Sequence, residues 1–207
     1  MASGLVTACT GGSASKATTT TSAPPAPAPT TTAAGAAQRP GDLAVAALAA
    51  SLENTLSGAY ASVLDLVSGD KLGPLPTSVT TLVQTVQSHH RDHAAAWNAI
   101  LTAAGEPAVT GADTSLLTAQ IAPSLPTLKT LHDLVGFALQ IERIAAATYL
   151  DAVQHTLTTT GAIQTAAAIQ PVEMQHVAIL GLLAGSSPVP DSFATSVGAR
   201  TTADTLG

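Results

Sequence analysis

Four long segments of this chain place apolar residues every three or four positions, which is the spacing of one face of an α-helix. Glycine and proline interrupt the pattern between the segments. We predict helices over about 42–67, 78–103, 128–156 and 163–184. Aromatic residues make up only 2% of the chain, which suits helices packed through small side chains. Because each helix has one apolar stripe to bury, the sequence predicts an all-α four-helix bundle.

The lengths of the three connections predict the topology of this bundle. The first and last connections are short, so helices one and two should form an antiparallel hairpin, as should helices three and four. The middle connection, about 104–127, could reach ~75 Å at about 3.3 Å per residue. A helix of about 25 residues is only ~37 Å long. The middle connection can therefore cross the whole bundle, which predicts two antiparallel hairpins joined by a long crossover.

The two hairpins repeat a set of polar residues at matched positions. The set is Glu53 and Tyr60 in helix one, His90 and His93 in helix two, Glu142 and Tyr149 in helix three, and Glu173 and His176 in helix four. Residues three apart on a helix project from the same face and can bind one centre. All of the carboxylates and imidazoles lie on apolar stripes, which carry no Lys or Arg. Since an uncompensated buried carboxylate costs several kcal/mol, a bound metal ion is the simplest compensation.

Two segments carry a resemblance to a known family. Residues 51–60 and 166–176 resemble bacterial ferritin-like domain proteins, including those grouped as desiccation-related, and the resemblance covers about 42–193. It implies a ferritin-like bundle in which two helices each supply a Glu and two each supply Glu-x-x-His to two iron or manganese ions. Carried over by position, it implies terminal carboxylates at Glu53 and Glu142, a bridging carboxylate at Glu173, and imidazole ligands at His93 and His176.

His90 departs from the family pattern, because it stands where the second-helix motif would have a glutamate. A neutral imidazole offers one nitrogen lone pair and cannot bridge two metal ions as a carboxylate does. The site could still be dinuclear with one bridge, could be mononuclear, or could suit zinc or copper through mixed nitrogen and oxygen ligands. We keep His90 in the predicted ligand set.

The remaining aromatic and histidine residues receive simpler interpretations. Tyr60 and Tyr149 should pack in the core, and their hydroxyls could donate to the ligating carboxylates. We expect Trp97 to be an ordinary core residue. The three further histidines are expected to be satisfied core or surface residues: His89, His132 and His155.

The N-terminal segment suggests an anchor on a membrane surface. Residues 5–9 resemble a bacterial lipobox, which predicts lipidation at Cys9; the eight residues before it are too few for a signal peptide, so we expect a longer precursor. The Thr-, Ala- and Pro-rich stretch 10–40 then predicts a flexible tether. We therefore expect the protein to lie outside the cytoplasm, anchored to the outer face of the cell membrane as a lipoprotein. The alternative is a free thiol in a disordered tail.

Charge and hydropathy limit the partners. The net charge is −6 and the chain has no basic cluster, so we expect no nucleic-acid partner. Apart from the N-terminal segment, we expect no stretch long and apolar enough to span a bilayer. We divide the chain into a signal and tether (1–41), the bundle (42–185) and a loose C-terminal tail (186–207) with one anchor at Phe193. A homo-oligomer is left open.

Two functions are compatible with these patterns. The first is a metal-binding protein with redox capacity, in which iron is oxidised by dioxygen or peroxide at the bundle centre; manganese or zinc are alternative metals. The second is a non-enzymatic surface scaffold or binding module with a degenerate or structural metal site.

Overall fold

The computed structural model describes residues 30–31 and 41–205. It contains four long helices: α1 (Asp42–Ser68), α2 (Thr77–Ala103), α3 (Leu131–Asp151) and α4 (Thr160–Leu183). The loop 69–76 joins α1 to α2, and 152–159 joins α3 to α4, so each pair packs as an antiparallel hairpin. The prediction of an all-α bundle of two hairpins is confirmed. Cys9 and most of the predicted tether lie outside the described residues.

The helix starts follow local sequence only in part. Thr130 and Asp133 form a capping box at the start of α3, in which each side chain accepts a hydrogen bond from the other's backbone N–H. Asp42 has the residue type of a helix cap, but Gly41 with φ +52° occupies the cap position of α1. The Asp42 carboxylate instead accepts hydrogen bonds from the backbone and hydroxyl groups of Thr158 and Thr159. Asp42 thereby joins the start of α1 to the start of α4.

The long crossover is held against α1 and α2 by side-chain hydrogen bonds. Its strand β2 (Ala108–Val109) pairs in parallel with β1 (Thr30–Thr31). Val109 is also held by the side-chain amides of Asn54 and Asn98, which donate to its carbonyl oxygen. Short helical turns complete the crossover: α-helical Thr114–Leu116, π-helical Leu117–Ile121, α-helical Ala122–Ser124 and 3-10 Leu125–Thr127. A second π-helical turn, Ala152–Thr156, follows α3.

The buried apolar residues form two clusters. One includes Leu56, Val63, Val83 and Leu134, and the other includes Ala46, Trp97, Leu101 and Ala166. In α1 the second cluster takes positions up to Ala50 and the first begins at Leu52. In α4 the second cluster ends at Ile169 and the first takes Leu180. A polar layer therefore lies between two apolar cores, at the height of Glu53 and Glu173.

Helix α4 is the most apolar of the four. Within the described residues it is the one helix long and apolar enough to cross a membrane by length and composition, with a mean hydropathy of 1.2. The expectation that no stretch could span a bilayer is wrong on that criterion. However, its Glu173 and His176 are buried against the other helices, and core helices of bundles often have such a composition. The hydropathy is a weak indication of a membrane contact.

The C-terminal tail is anchored at a different residue from the one predicted. Phe193 is 89% exposed, so it does not anchor the tail. Arg200 does, because its guanidinium binds the buried Asp113 carboxylate of the crossover at 2.9 and 3.0 Å. Its backbone N–H also donates to the Thr148 hydroxyl on α3. The last described segment is a 3-10 turn, Thr202–Thr205.

Candidate metal centre

The structure brings together all six residues predicted as metal ligands. They come from the middle turns of the four long helices: Glu53 from α1, His90 and His93 from α2, Glu142 from α3, and Glu173 and His176 from α4. The three carboxylates and His90 are completely buried. The His93 side chain is 11% exposed and that of His176 is 4% exposed. This cluster is the polar layer between the two apolar cores, and its residues are called the centre below.

The centre consists of two overlapping groups of potential ligand atoms. One group is Glu53, His90, His93 and Glu173, and the other is His90, Glu142, Glu173 and His176. Within each group the ligand atoms lie within 4.8 Å of one another. Glu173 and His90 belong to both groups. The geometry is compatible with a metal site.

His90 lies between two carboxylates rather than beside one. Its Nδ1 is 2.6 Å from Glu53 Oε2, and its Nε2 is 3.1 Å from Glu142 Oε1. Both ring nitrogens therefore face a carboxylate oxygen. An imidazolium could donate to both, since it carries an N–H on each nitrogen. A protonated His90 would supply one positive charge at the position where the family pattern has a negative one.

Glu173 is the least satisfied carboxylate of the centre. Among the described residues neither of its oxygens has a hydrogen-bond partner, although the side chain is completely buried. His93 Nδ1 lies 2.8 Å from Glu173 Oε1, but it too has no hydrogen-bond partner. The contact is close enough for charge attraction without the alignment of a hydrogen bond. Buried carboxylate oxygens that accept no well-aligned hydrogen bond favour a nearby cation, so the donor set is compatible with a metal ion.

The two predicted tyrosines bind the carboxylates at the ends of the centre. The Tyr60 hydroxyl donates to Glu142 and the Tyr149 hydroxyl donates to Glu53. The Trp97 indole N–H in turn donates to the Tyr149 oxygen at 2.9 Å, and the two rings stack. Trp97 is therefore not only a core residue as expected, because it extends the hydrogen-bond chain from Glu53.

The carboxylates raise the pKa values of the histidines around them. Burial alone would lower the pKa of His93, but Glu173 and Glu53 raise it to about 9. Burial likewise opposes the charge of His176, yet Glu142 and Glu173 raise its pKa to about 9. Burial also opposes the charge of His90, but Glu142, Glu173 and Glu53 raise its pKa well above its usual range.

The carboxylates are shifted in opposite directions. Burial raises the pKa of every carboxylate here, but His90 outweighs it at Glu53 and at Glu142, whose pKa values are lowered. At Glu173 burial and the nearby Glu53 charge prevail, so its pKa is raised. Glu173 is thus the one carboxylate of the centre at which His176 and His93 do not outweigh burial.

His89 belongs to the surroundings of the centre, although sequence analysis left it among the structural histidines. Its Nδ1 lies 3.0 Å from His176 Nε2, and the two rings are stacked. The helical spacing predicts that the next residue, His90, faces the core, and it therefore predicts that His89 faces away from the core. A weak indication was available, because residues 89 and 93 are four apart and share a helix face. His132 and His155 are exposed, as surface residues would be.

Comparison with known proteins identifies a family. The ferritin-like domain family matches residues 41–186, a range that contains the four helices and all six residues of the centre. No curated protein sequence and no solved structure matches the chain.

Proposed function

This chain belongs to the ferritin-like domain family, and on that premise we propose that its buried centre binds iron or a similar transition metal and supports the oxidation of iron. The residues that would hold the metal are the six of the centre: Glu53, His90, His93, Glu142, Glu173 and His176. Carboxylate and imidazole ligands together suit iron, manganese and zinc. The family pattern favours iron or manganese, and both of these metals can give the centre a redox function, whereas zinc cannot.

The observation that carries the proposal is the state of Glu173. Its side chain is completely buried and accepts no well-aligned hydrogen bond from the described residues, although His93 Nδ1 lies 2.8 Å away. Such a carboxylate costs several kcal/mol unless a cation compensates it. Glu173 also belongs to both groups of potential ligands, so a cation bound to it would contact both halves of the centre.

The protein's own residues would prepare the site in two ways. Tyr149 and Tyr60 hold Glu53 and Glu142 by hydrogen bonds, which fixes the orientation of the outer carboxylates. The two apolar cores above and below exclude water from the polar layer. A bound redox-active metal would supply the electron transfer: two Fe²⁺ lose one electron each, and peroxide takes up both electrons and two protons to form two waters.

We place this activity outside the cytoplasm, on a lipid-anchored protein. The support is the lipobox-like sequence before Cys9 and the Thr- and Pro-rich stretch after it. Metabolic labelling of the full precursor in its own host with a fatty-acid analogue tests this placement. Loss of the label in a Cys9→Ser variant supports it, and an unlabelled wild-type protein contradicts it.

Peroxide-dependent oxidation of Fe²⁺ tests the proposed activity. The wild-type protein is compared with a Glu142→Gln/Glu173→Gln variant, which keeps the side-chain volumes and removes two charges. An Asp65→Asn/Asp92→Asn variant is the matched control, because both of these carboxylates are exposed. We expect the first variant to stay helical, lose metal and fall to the protein-free rate. Unchanged oxidation by that variant would show that the centre is not the site.

One observation favours the second function, a scaffold with a degenerate site. His90 contacts Glu53 and Glu142 at once, and a protonated His90 would neutralise charge there without any metal. Under this alternative the double glutamine variant binds as little metal as the wild type. A wild-type protein that binds no transition metal and is no less stable in chelator would favour the scaffold.

A further inference from the structure

The two nitrogens of His176 face different environments. Nδ1 points to the centre, where it lies 3.0 Å from Glu142 Oε2 and 3.4 Å from Glu173 Oε2. Nε2 points away from the centre to His89 Nδ1, at 3.0 Å. The ring centroids of His89 and His176 are 5.2 Å apart and the rings are inclined by only 15°. His89 therefore fixes both the plane and the outward edge of the His176 ring.

This arrangement bears on which nitrogen of His176 can bind a metal. A neutral imidazole has one N–H and one lone pair. To bind a cation in the centre, His176 must present its lone pair at Nδ1 and keep its proton at Nε2. The proton at Nε2 is stabilised only if an acceptor faces it, and metal-binding histidines usually have such a partner. Within the described part of the chain, the acceptor facing Nε2 is His89 Nδ1.

The other position of the proton, at Nδ1 of His176, is favoured by a hydrogen bond to a carboxylate. If the proton sits at Nδ1, it can donate to the Glu142 carboxylate, which is a better acceptor than an imidazole nitrogen. The lone pair then points away from the centre and His176 cannot bind a metal there. A neutral acceptor at position 89 favours the form of His176 that has its proton at Nε2 and its lone pair at Nδ1, which can bind a metal in the centre.

We propose that His89 is a positioning residue for the metal centre: it accepts the Nε2 proton of His176 and so directs the His176 Nδ1 lone pair toward the metal. This inference rests on the proposed function, because it concerns the same centre. His89 is half-buried and does not belong to either group of potential ligands. It acts through His176 and not as a ligand itself.

The test compares two substitutions at position 89 in the full chain, with Co²⁺ as the probe. His89→Phe keeps a flat ring and removes the acceptor. His89→Asn places a carbonyl oxygen close to the position of Nδ1 and keeps the acceptor. His132→Phe is the control, because His132 is exposed. Co²⁺ affinity is measured by visible absorption in competition with a chelator, and far-UV circular dichroism checks the fold.

We expect His89→Phe to weaken Co²⁺ binding by about 10–100-fold. His89→Asn should restore most of the affinity, and His132→Phe should bind like the wild type. Equal affinity of His89→Phe and wild type would overturn the inference and leave the proposed function intact. Weak binding by His89→Asn would overturn the acceptor role. A wild-type protein that binds no Co²⁺ would overturn both proposals.

A measurement on the wild type covers the case in which a variant fails to fold. Zn²⁺-loaded protein labelled with ¹⁵N-histidine reports which nitrogen of His176 carries the proton. The inference requires a proton on Nε2 that exchanges slowly with water. A proton on Nδ1 of His176 would contradict it.

Discussion

His90 occupies the middle of the centre, with a carboxylate oxygen on each side of its ring. In the family pattern this position is a glutamate that contributes negative charge for a second metal ion. Here the imidazole lies between Glu53 and Glu142 and can instead be protonated, because both carboxylates raise its pKa against the effect of burial. This one residue changes the charge of the site. A substitution of His90 therefore tests how many metal ions the centre holds.

Replacing His90 by glutamate should make the protein depend on metal. His90→Glu puts a fourth carboxylate beside three buried ones and removes the imidazole that contacts two of them. We expect the free energy of unfolding in chelator to fall by about 3–5 kcal/mol, and added Mn²⁺ to restore most of it. Urea unfolding with and without Mn²⁺ measures the change. Equal stability of the variant and the wild type in chelator would mean that His90 does not neutralise the charges of Glu53 and Glu142.

The two tyrosines should differ in their contributions to stability. Tyr149→Phe leaves both the Trp97 N–H and one Glu53 oxygen without their partner. Tyr60→Phe affects Glu142 alone, which keeps contacts with His90 and His176. We expect Tyr149→Phe to lower the free energy of unfolding by about 1–3 kcal/mol and Tyr60→Phe by less. Urea unfolding decides the order, and the reverse order would contradict the hydrogen-bond assignment.

At this scale the clustering of the six candidate residues could be predicted, and the contacts around them could not. Spacing on apolar stripes placed six ionisable residues inward, from Glu53 to His176, and the structure brings them together. The contacts of His89 and Trp97 depend on how α2 is rotated against α4 and α3, which the sequence pattern of one helix does not determine. The pairing of His90 with two carboxylates depends likewise on three helices at once.

Among the helices, the starts of α1 and α4 are linked by one carboxylate. Asp42 accepts hydrogen bonds from both Thr158 and Thr159, which precede α4. Burial would raise the pKa of Asp42, but these bonds outweigh it and lower the pKa below its ordinary value of 3.8. The contact joins the two hairpins at the end of the bundle opposite the loop 69–76.

The stabilisation from Asp42 should depend on pH in a defined direction. Because its folded-state pKa is lowered, the stabilisation is complete above pH 3.8 and disappears as the pH falls through the lowered value. We expect Asp42→Asn to lower the free energy of unfolding at pH 7 by about 1–2 kcal/mol. The difference from wild type should shrink at pH 3. Urea unfolding at both values measures it, and a difference that does not change with pH would exclude the ionised form as its cause.

The long helices could be predicted closely because their apolar periodicity extends over many turns. Their ends were harder to place. Asp42 has the residue type of a helix cap, yet its carboxylate is taken by Thr158 and Thr159, which are distant in sequence. The sequence predicts that the third helix ends near residue 156. This agrees with the π-helical turn Ala152–Thr156, which continues α3.

At the scale of the whole molecule, the C-terminal tail fastens the crossover to the bundle. Arg200 pairs with Asp113, which is 1% exposed and also accepts a hydrogen bond from Leu116 N–H. We expect Arg200→Met to lower the free energy of unfolding by about 3 kcal/mol, because it leaves a buried carboxylate without its cation. Arg143→Met is the control, since Arg143 is exposed. Equal effects of the two variants in urea unfolding would show that the tail does not stabilise the crossover.

The architecture could be predicted from connection lengths, because a crossover of more than twenty residues can pass the full length of a bundle whereas a short loop cannot. The tail could not. The prediction of Phe193 as its anchor is wrong, because a single apolar residue without periodicity gives no information about which surface it meets. The pairing of Arg200 with Asp113 joins residues 87 positions apart, and no local pattern reveals such a contact.

The central claim is that Glu173 and its neighbours bind a transition metal. The most direct test is the metal content, measured by mass spectrometry, of wild-type protein and Glu173→Gln purified side by side without chelators. We predict one to two iron or manganese ions per wild-type chain and a near-complete loss in the variant, with both proteins equally helical. A wild-type protein without transition metal, or a Glu173→Gln variant that keeps the full amount, would contradict the account.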